Sequence, residues 1–213
     1  MNFAEIELAV KREIEDFSVE FFTDIPSVIN EIYTEVCDEI DPGVPNLQAV
    51  ETLGTVVGQA FMNQPAESSG KIVDIYDSNG CKLTQVDGDL ETLRDKCGSL
   101  TGAGAIKYWL PLGQRIWYAP IPTAAENLEI IYYKDPTELT GDGDEPSEIP
   151  SHLHRGVLVH GTAFRLFSRI EQEGENEALE TGKQFALFTA ATDKFRNWVA
   201  RRQRVKGRTA WDA

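Results

Sequence analysis

Residues 149–205, IPSHLHRGVLVHGTAFRLFSRIEQEGENEALETGKQFALFTAATDKFRNWVARRQRV, decide the fold. Pro150 suits the first position of a helix, where its missing N–H has no partner to lose. From Leu153 apolar residues recur at helical spacing as Leu153, Val157, Gly161, Phe164 and Phe167. A second row follows at Val159, Ala163, Leu166 and Ile170. Two rows make a wide apolar face, which predicts a helix covered on more than one side. Gly174 is a stop and Asn176 a cap for a second helix. That helix carries Phe185, Phe188, Thr192, Phe195 and Val199 at steps of three and four. It is predicted to run from Asn176 to Arg204, roughly 40 Å at ~1.5 Å per residue. Its aromatic stripe of Phe185, Phe188, Phe195 and Trp198 reads as core. Together the two helices predict a hairpin over 150–205 on which other elements lean.

Upstream, Phe3 to Phe17 reads as a first helix, with Phe3, Ile6, Val10, Ile14 and Phe17 on one face. Asp24 followed by Pro26 starts another, which aligns Ile25, Ile29, Ile32, Val36 and Ile40 and ends at Asp41-Pro42-Gly43. Their outward faces are acidic. From Leu47 to Tyr133 the runs become short, β-rich and punctuated. Ala49–Leu53 and Thr55–Met62 are expected to pair around Gly54. Lys71–Tyr76 and Cys81–Val86 flank Asp77-Ser78-Asn79-Gly80, where Asn-Gly is a strong hairpin signal. Asp87 to Cys97 predicts a short helix capped at Asp87 or Asp89. Ile106–Leu110 and Arg115–Ala119 bracket Pro111-Leu112-Gly113, and Asn127–Tyr133 supplies a last strand. The expected plan is α+β: a helical bundle of two N-terminal helices plus the long C-terminal hairpin, with a small antiparallel β-rich domain inserted. Its parts are 1–44 helical, 45–134 β-rich, 135–149 an acidic Gly- and Pro-bearing linker, 150–205 the hairpin, and 206–213 a basic tail.

At 213 residues the chain fits one compact domain, or one with a sizeable insertion. No apolar run approaches the length needed to cross a bilayer. Glu5 and Glu7 stand where a signal peptide needs positive charge. Cys37, Cys81 and Cys97, odd in number and widely spaced, read as reduced thiols of a protein made in a cytoplasm. The net charge of −15 hides a division: from Lys194 onward seven basic residues face Asp212 alone, leaving the other 193 residues at −21. So acidic a body is poorly suited to general nucleic-acid binding. Basic residues at a helix C-terminus complement its dipole, which covers Arg201, Arg202 and Arg204. Lys206, Arg208 and Trp211 flank or lie beyond Gly207 and need another account. Two remain open: a disordered terminus, or a segment that docks on a partner with tryptophan as anchor and arginines as charge-assisted donors.

Motifs for catalysis are weak. Asp142, Asp144, Glu145 and Glu148 alternate as a hard cation would like, but without the spacing of an EF-hand loop. His152 and His154 are two apart and point to different sides of a helix, and His160 completes no HExxH. No GxSxG elbow appears, and Gly102-Ala103-Gly104 lacks the lysine of a phosphate loop. The expectation is a non-enzyme with no cofactor or metal. A small metal-dependent enzyme built on the 142–148 loop or the histidines is the reading it displaces.

Several stretches carry a likeness in order: Val28-Ile29-Asn30-Glu31-Ile32-Tyr33, the run from Leu128 to Thr140, acidic Asp142 to Pro146, Ile149-Pro150 opening a helix with His154 and Gly161, and Phe195-Arg196 before the basic end. In these the chain resembles head-to-tail adaptor (connector, or head-completion) proteins of tailed bacteriophages, the short-tailed group in particular. The resemblance implies a structural virion protein of the neck, assembled in the host cytoplasm as a ring, usually a dodecamer. It joins the portal to tail or nozzle proteins, and DNA passes through its channel without sequence-specific binding. Portal docking then falls to Arg201, Arg202, Arg204, Lys206, Arg208 and Trp211, and the β-rich part faces the tail. The short tail after Gly207 departs from a deep insertion into the portal. A stopper or tail-completion protein of the same neck is the nearest alternative.

Overall fold

A computed structural model describes residues 1–14, 23–40, 43–171 and 178–208, and shows a mixed α+β chain with five α-helices and two sheets among them. The chain divides into two compact units, Met1–Asn46 with Pro136–Ala213, and Leu47–Asp135.

In the first unit, α1 (Phe3–Glu13) begins with a capping box. Asn2 Oδ1 accepts from the Glu5 N–H at 2.9 Å while Glu5 Oε2 accepts from the Asn2 N–H at 3.1 Å. Phe3, Ile6, Val10 and Ile14 are buried. The helix closes at Ile14, short of the expected Phe17, and residues 15–17 lie outside the described segments. Helix α2 (Ile25–Glu39) has Pro26 in its first turn and buries Ile25, Val28, Ile29, Ile32, Tyr33, Val36 and Cys37. Asp24 makes no side-chain cap, because its backbone is already helical (φ −90°, ψ −13°) and capping needs an extended residue there. Burial pushes the Cys37 thiol up to about 12, so it packs as a small hydrophobe.

The segment expected to be a solvated acidic linker, 135–149, is instead pinned down from Leu139 onward. Leu139 is buried, and Asn30 of α2 clamps it from both sides. Its Oδ1 accepts from the Leu139 N–H and its Nδ2 donates to the Leu139 carbonyl, each at 2.9 Å. The carbonyls of Asp144 and Asp142 accept from the N–H groups of Phe3 (2.8 Å) and Ala4 (3.2 Å), satisfying two donors that α1 leaves free at its start. The Asp144 carboxylate takes the N–H groups of Thr140 (2.9 Å) and Gly141 (2.7 Å). Those bonds, the Gly141 one foremost, hold its carboxyl below the usual range. Tyr33 donates its hydroxyl to Glu148, whose carboxyl is pushed up by burial. Backbone carbonyls and the Glu148 carboxylate hold the strap to the helices, while Glu138, Asp142 and Glu145 stay exposed.

Beyond the strap, one continuous helical run changes pitch twice: a 3₁₀ turn at Ser151–Leu153, a π-helical turn at Arg155–Val159, then α4 (His160–Glu171). Val157, Leu158, Val159, Thr162, Ala163, Leu166 and Phe167 are all buried, as a helix covered on several sides requires. Helix α5 (Ala178–Arg208) returns along it, 31 residues long.

The second unit is built of seven strands and one helix in two sheets that share a core. Strands β1 (Gln48–Gly54), β7 (Asn127–Lys134) and β3 (Ser68–Tyr76) form an antiparallel sheet in the order β1-β7-β3. The other sheet is β2 (Phe61–Asn63), β6 (Arg115–Ala119), β5 (Tyr108–Leu112) and β4 (Thr84–Gln85), with β4 parallel to β5. Ile75, Leu128, Ile130 and Tyr132 of the first sheet pack with Met62, Trp109, Ile116 and Tyr118 of the second. Helix α3 (Leu90–Cys97) is capped by Asp89, not Asp87, and seats Leu93 against Leu110 and Ala119.

Two expected pairings are corrected. The segment after Gly54 does not fold back on β1, because Thr55 is held elsewhere: its N–H donates to the Glu126 carbonyl (2.8 Å) and its Oγ1 accepts from the Glu126 N–H (3.0 Å). That ties β1 to β7 in a register from Gln48↔Tyr133 to Gly54↔Asn127. The Asn79-Gly80 turn does form, with the Asp77 carboxylate accepting from the N–H groups of Asn79 and Cys81 and Gly80 at φ +76°. Its second arm pairs only at Tyr76↔Lys82 before leaving for the other sheet. A single antiparallel sheet thus becomes two, one of them mixed.

Candidate functional site

Helix α5 carries the residues expected to dock, and what it buries decides what it leaves outside. Its covered stripe is Gln184, Ala191, Thr192, Phe195 and Val199, with Phe188 and Trp198 half-buried beside it. Two glycines of the preceding helical run draw α5 close. A Cβ on Gly156 would lie 2.6 Å from that of Ala191, and one on Gly161 would lie 2.9 Å from the Phe188 ring. This approach puts the 188–191–195 row at the contact and leaves Phe185 at its margin. Phe185, expected in the core, is 51% exposed, although its ring lies 5.1 Å from that of Phe164.

Polar contacts fix the other edge. Gln184, buried on α5, lies 2.7 Å from His160 Nδ1 through Oε1 and donates through Nε2 to Glu13 at 3.4 Å. Arg155 of the π turn donates to the same carboxylate at 2.7 Å. Burial raises the Glu13 carboxyl, but the bonds from Arg155 and Gln184 outweigh it and hold the group below its ordinary value. The result is a polar tie among α1, the π turn and α5.

Further along, the docking residues separate. Arg201 and Arg202 are exposed on α5. The Arg202 guanidinium lies 4.3 Å over the ring of Trp198, which stacks on Phe195 with centroids 5.9 Å apart. Trp198 and Arg202 form one wall of a cleft of about 560 Å³ that also includes Glu145, Pro146, Pro150 and His152. Arg196, from the same basic run, is instead paired with Glu39 at 2.9 Å and Asp193 at 3.3 Å. Arg204, Lys206 and Arg208 lie on α5 itself. The expected end near Arg204 and a loose tail after Gly207 are therefore corrected as far as Arg208. One glycine costs a helix about 1 kcal/mol relative to alanine, too little to stop a long one. Trp211 lies outside the described residues.

Trp198, expected in the core, is half-buried: it stacks on Phe195 and carries the Arg202 guanidinium. The signal for this was present as the i, i+4 pair Trp198 and Arg202, a spacing that puts cation and ring on one helix face. The three histidines take unrelated roles: His152 is exposed, His154 is buried with Nε2 2.7 Å from the Ile149 carbonyl, and His160 meets Gln184. Among the described residues no group of three or more His, Cys, Asp and Glu side chains gathers as a metal site would require. Among them, too, no helix is long and apolar enough to cross a membrane.

A search of curated proteins finds no match. Residues 1–211 match the family described as SU10 adaptor protein, and with that match over almost its whole length the chain belongs to this family of bacteriophage head-to-tail adaptors.

Proposed function

We propose that the chain forms a ring in the virion neck, joining the portal of the DNA-filled head to tail or nozzle proteins. Family membership makes it an adaptor of the virion and favours structural over catalytic work. In this reading the helices of the first unit form a bundle that packs side by side around the ring, a dodecamer. The β-rich unit, inserted in sequence between α2 and the later helices, faces the tail. An acidic body suits a channel through which DNA slides without sequence-specific binding, since like charge repels phosphate.

The observation that carries portal docking is the end of α5. There Arg201, Arg202, Arg204, Lys206 and Arg208 follow one another on a single helix, and Arg202 is braced on Trp198. A helix presenting a supported aromatic and several guanidinium groups suits a groove on a partner ring. Replacing Arg201 and Arg202 together by glutamate tests it. Attachment to purified portal should fall at least about tenfold, as like-charge contacts across an interface do, while the circular dichroism of the variant stays that of the parent. Undiminished attachment sinks the docking role. A neck reconstruction with the chain on the tail side alone would favour a stopper or tail-completion protein instead.

A further inference from the structure

We infer that the outward face of α5 is a ridge that seats in an acidic groove beside α2 on a second copy of this chain. The inference rests on the ring proposed above and names the two surfaces that meet in it. Lys183, Leu187, Ala190, Lys194, Asn197 and Arg201 follow at alternating steps of four and three, which aligns them along one side of a helix. All six are exposed, and Leu187 is 42% exposed. Lys183 is held by Glu180 of the turn before it, at 3.0 Å. Among the described residues Lys194 and Arg201 form no ion pair. The ridge is thus basic with an apolar middle, on a chain whose first 193 residues carry −21.

The complementary surface lies in the same unit. A groove of about 900 Å³ runs beside α2, with Pro26 and Leu139 among its lining residues and Glu31, Glu35 and Glu138 as its carboxylates. Arg165 answers Glu35, and Arg169 answers Glu31 at 3.4 Å, in exposed pairs of the kind worth about 0–1 kcal/mol each. Glu138 is exposed and forms no ion pair among the described residues. Phe3, Pro26 and Leu139 give the groove apolar lining among hydroxyl and amide side chains, and its three carboxylates outnumber its one lining cation, Arg165. That suits a helix whose outer face is basic with an apolar stretch.

Charge selects the occupant. A nucleic acid would meet the ridge but be repelled by the body around it, whereas another copy offers a matching acidic surface. Because α5 shows this face outward on its own chain, the groove it fills belongs to a neighbour. Ridge and groove are different patches of one chain, so the contact is heterologous and repeats from copy to copy until a ring closes.

Carbodiimide cross-linking of the full chain, alone and on purified portal, provides the test, since it joins an ammonium to a carboxylate only where the two touch. An intermolecular link from Lys194 to Glu138, Glu31 or Glu35 is expected. Lys194→Glu and Glu138→Lys should each weaken self-association at low salt at least about tenfold, because like charges then face each other, and the chain carrying both should recover it. No such link in either setting, or single variants that assemble like the parent, overturns the ridge. Undiminished portal attachment after Arg201 and Arg202 are replaced by glutamate, with the Lys194 link present in the parent, strikes the docking of α5's end and leaves the ridge standing.

Discussion

The two long helical runs at the end of the chain come from one hairpin but are covered in different ways. From Leu153 to Phe167 the first buries residues on nearly every side, including three in succession at Val157–Val159. Helix α5, much longer, buries one stripe and leaves Phe185, Leu187, Lys194 and Arg201 in solvent. The first run is a centrepost that α1, α2 and α5 surround. The second covers the post with one face and leaves most of its other described residues exposed. A long helix kept so bare is available to other molecules, which is why both proposed contacts fall on α5.

The contrast can be broken at several points. The largest effect is expected at the shared seam, where Phe195 is fully buried. Phe195→Ala should cost about 3–5 kcal/mol of unfolding free energy, and Phe185→Ala, at the margin, under about 1.5 kcal/mol. Equal losses in urea denaturation would mean that α5 is not one-sided. Next comes Gly156→Ala, which forces a methyl to within 2.6 Å of Ala191 and should cost about 1–3 kcal/mol. A neutral result would show that the π turn relaxes freely and is no fixed part of the post.

The smallest expected effect concerns pH. Burial holds the His154 imidazole below its ordinary 6.5. The folded state therefore favours the neutral ring, and this contribution is present above about pH 6.5 and lost as pH falls through the lowered folded value. Glu148 acts with the opposite sign, because burial raises its carboxyl. Its contribution is present below the ordinary 4.5 of a glutamate and lost as pH rises through the raised value. Urea midpoints measured from pH 4 to 8 should rise through the histidine range in the parent. In His154→Gln that rise should be lost, leaving the Glu148 decline and, at the acid end, the gain from Glu13 and Asp144. A parent-like rise in the variant would assign it to other groups.

What could be read from sequence followed local periodicity. Ile25, Ile29, Ile32, Val36 and Ile40 announced a buried helix face, and all five are buried. The β5–β6 hairpin was legible from Gly113, and the α3 cap was narrowed to two aspartates. Pairings set by distant partners were not. Nothing near Gly54 reveals that Thr55 will bind Glu126, 71 positions away. Nor does the strap betray itself, since Asn30 and Leu139 are 109 residues apart and only the fold brings them together. Phe185 misled because spacing identifies a face without giving its width. At the proposed docking end, the basic run was visible but its division was not: Arg196 is engaged by Glu39 of α2, and Arg202 lies over Trp198.

The strap carries a consequence for how the gene can vary. Asn46, just before the β-rich unit, donates to the carbonyl of Ser147 at 3.3 Å, and Asn30 grips Leu139 soon after that unit ends. The polypeptide is therefore moored on the same helical scaffold both before it departs and after it comes back. Both moorings join residues of the helical unit alone, so neither bond depends on what lies between them. In the neck proposed above, where that interval meets the tail, it would be the place for phages with different tail machinery to change their fitting.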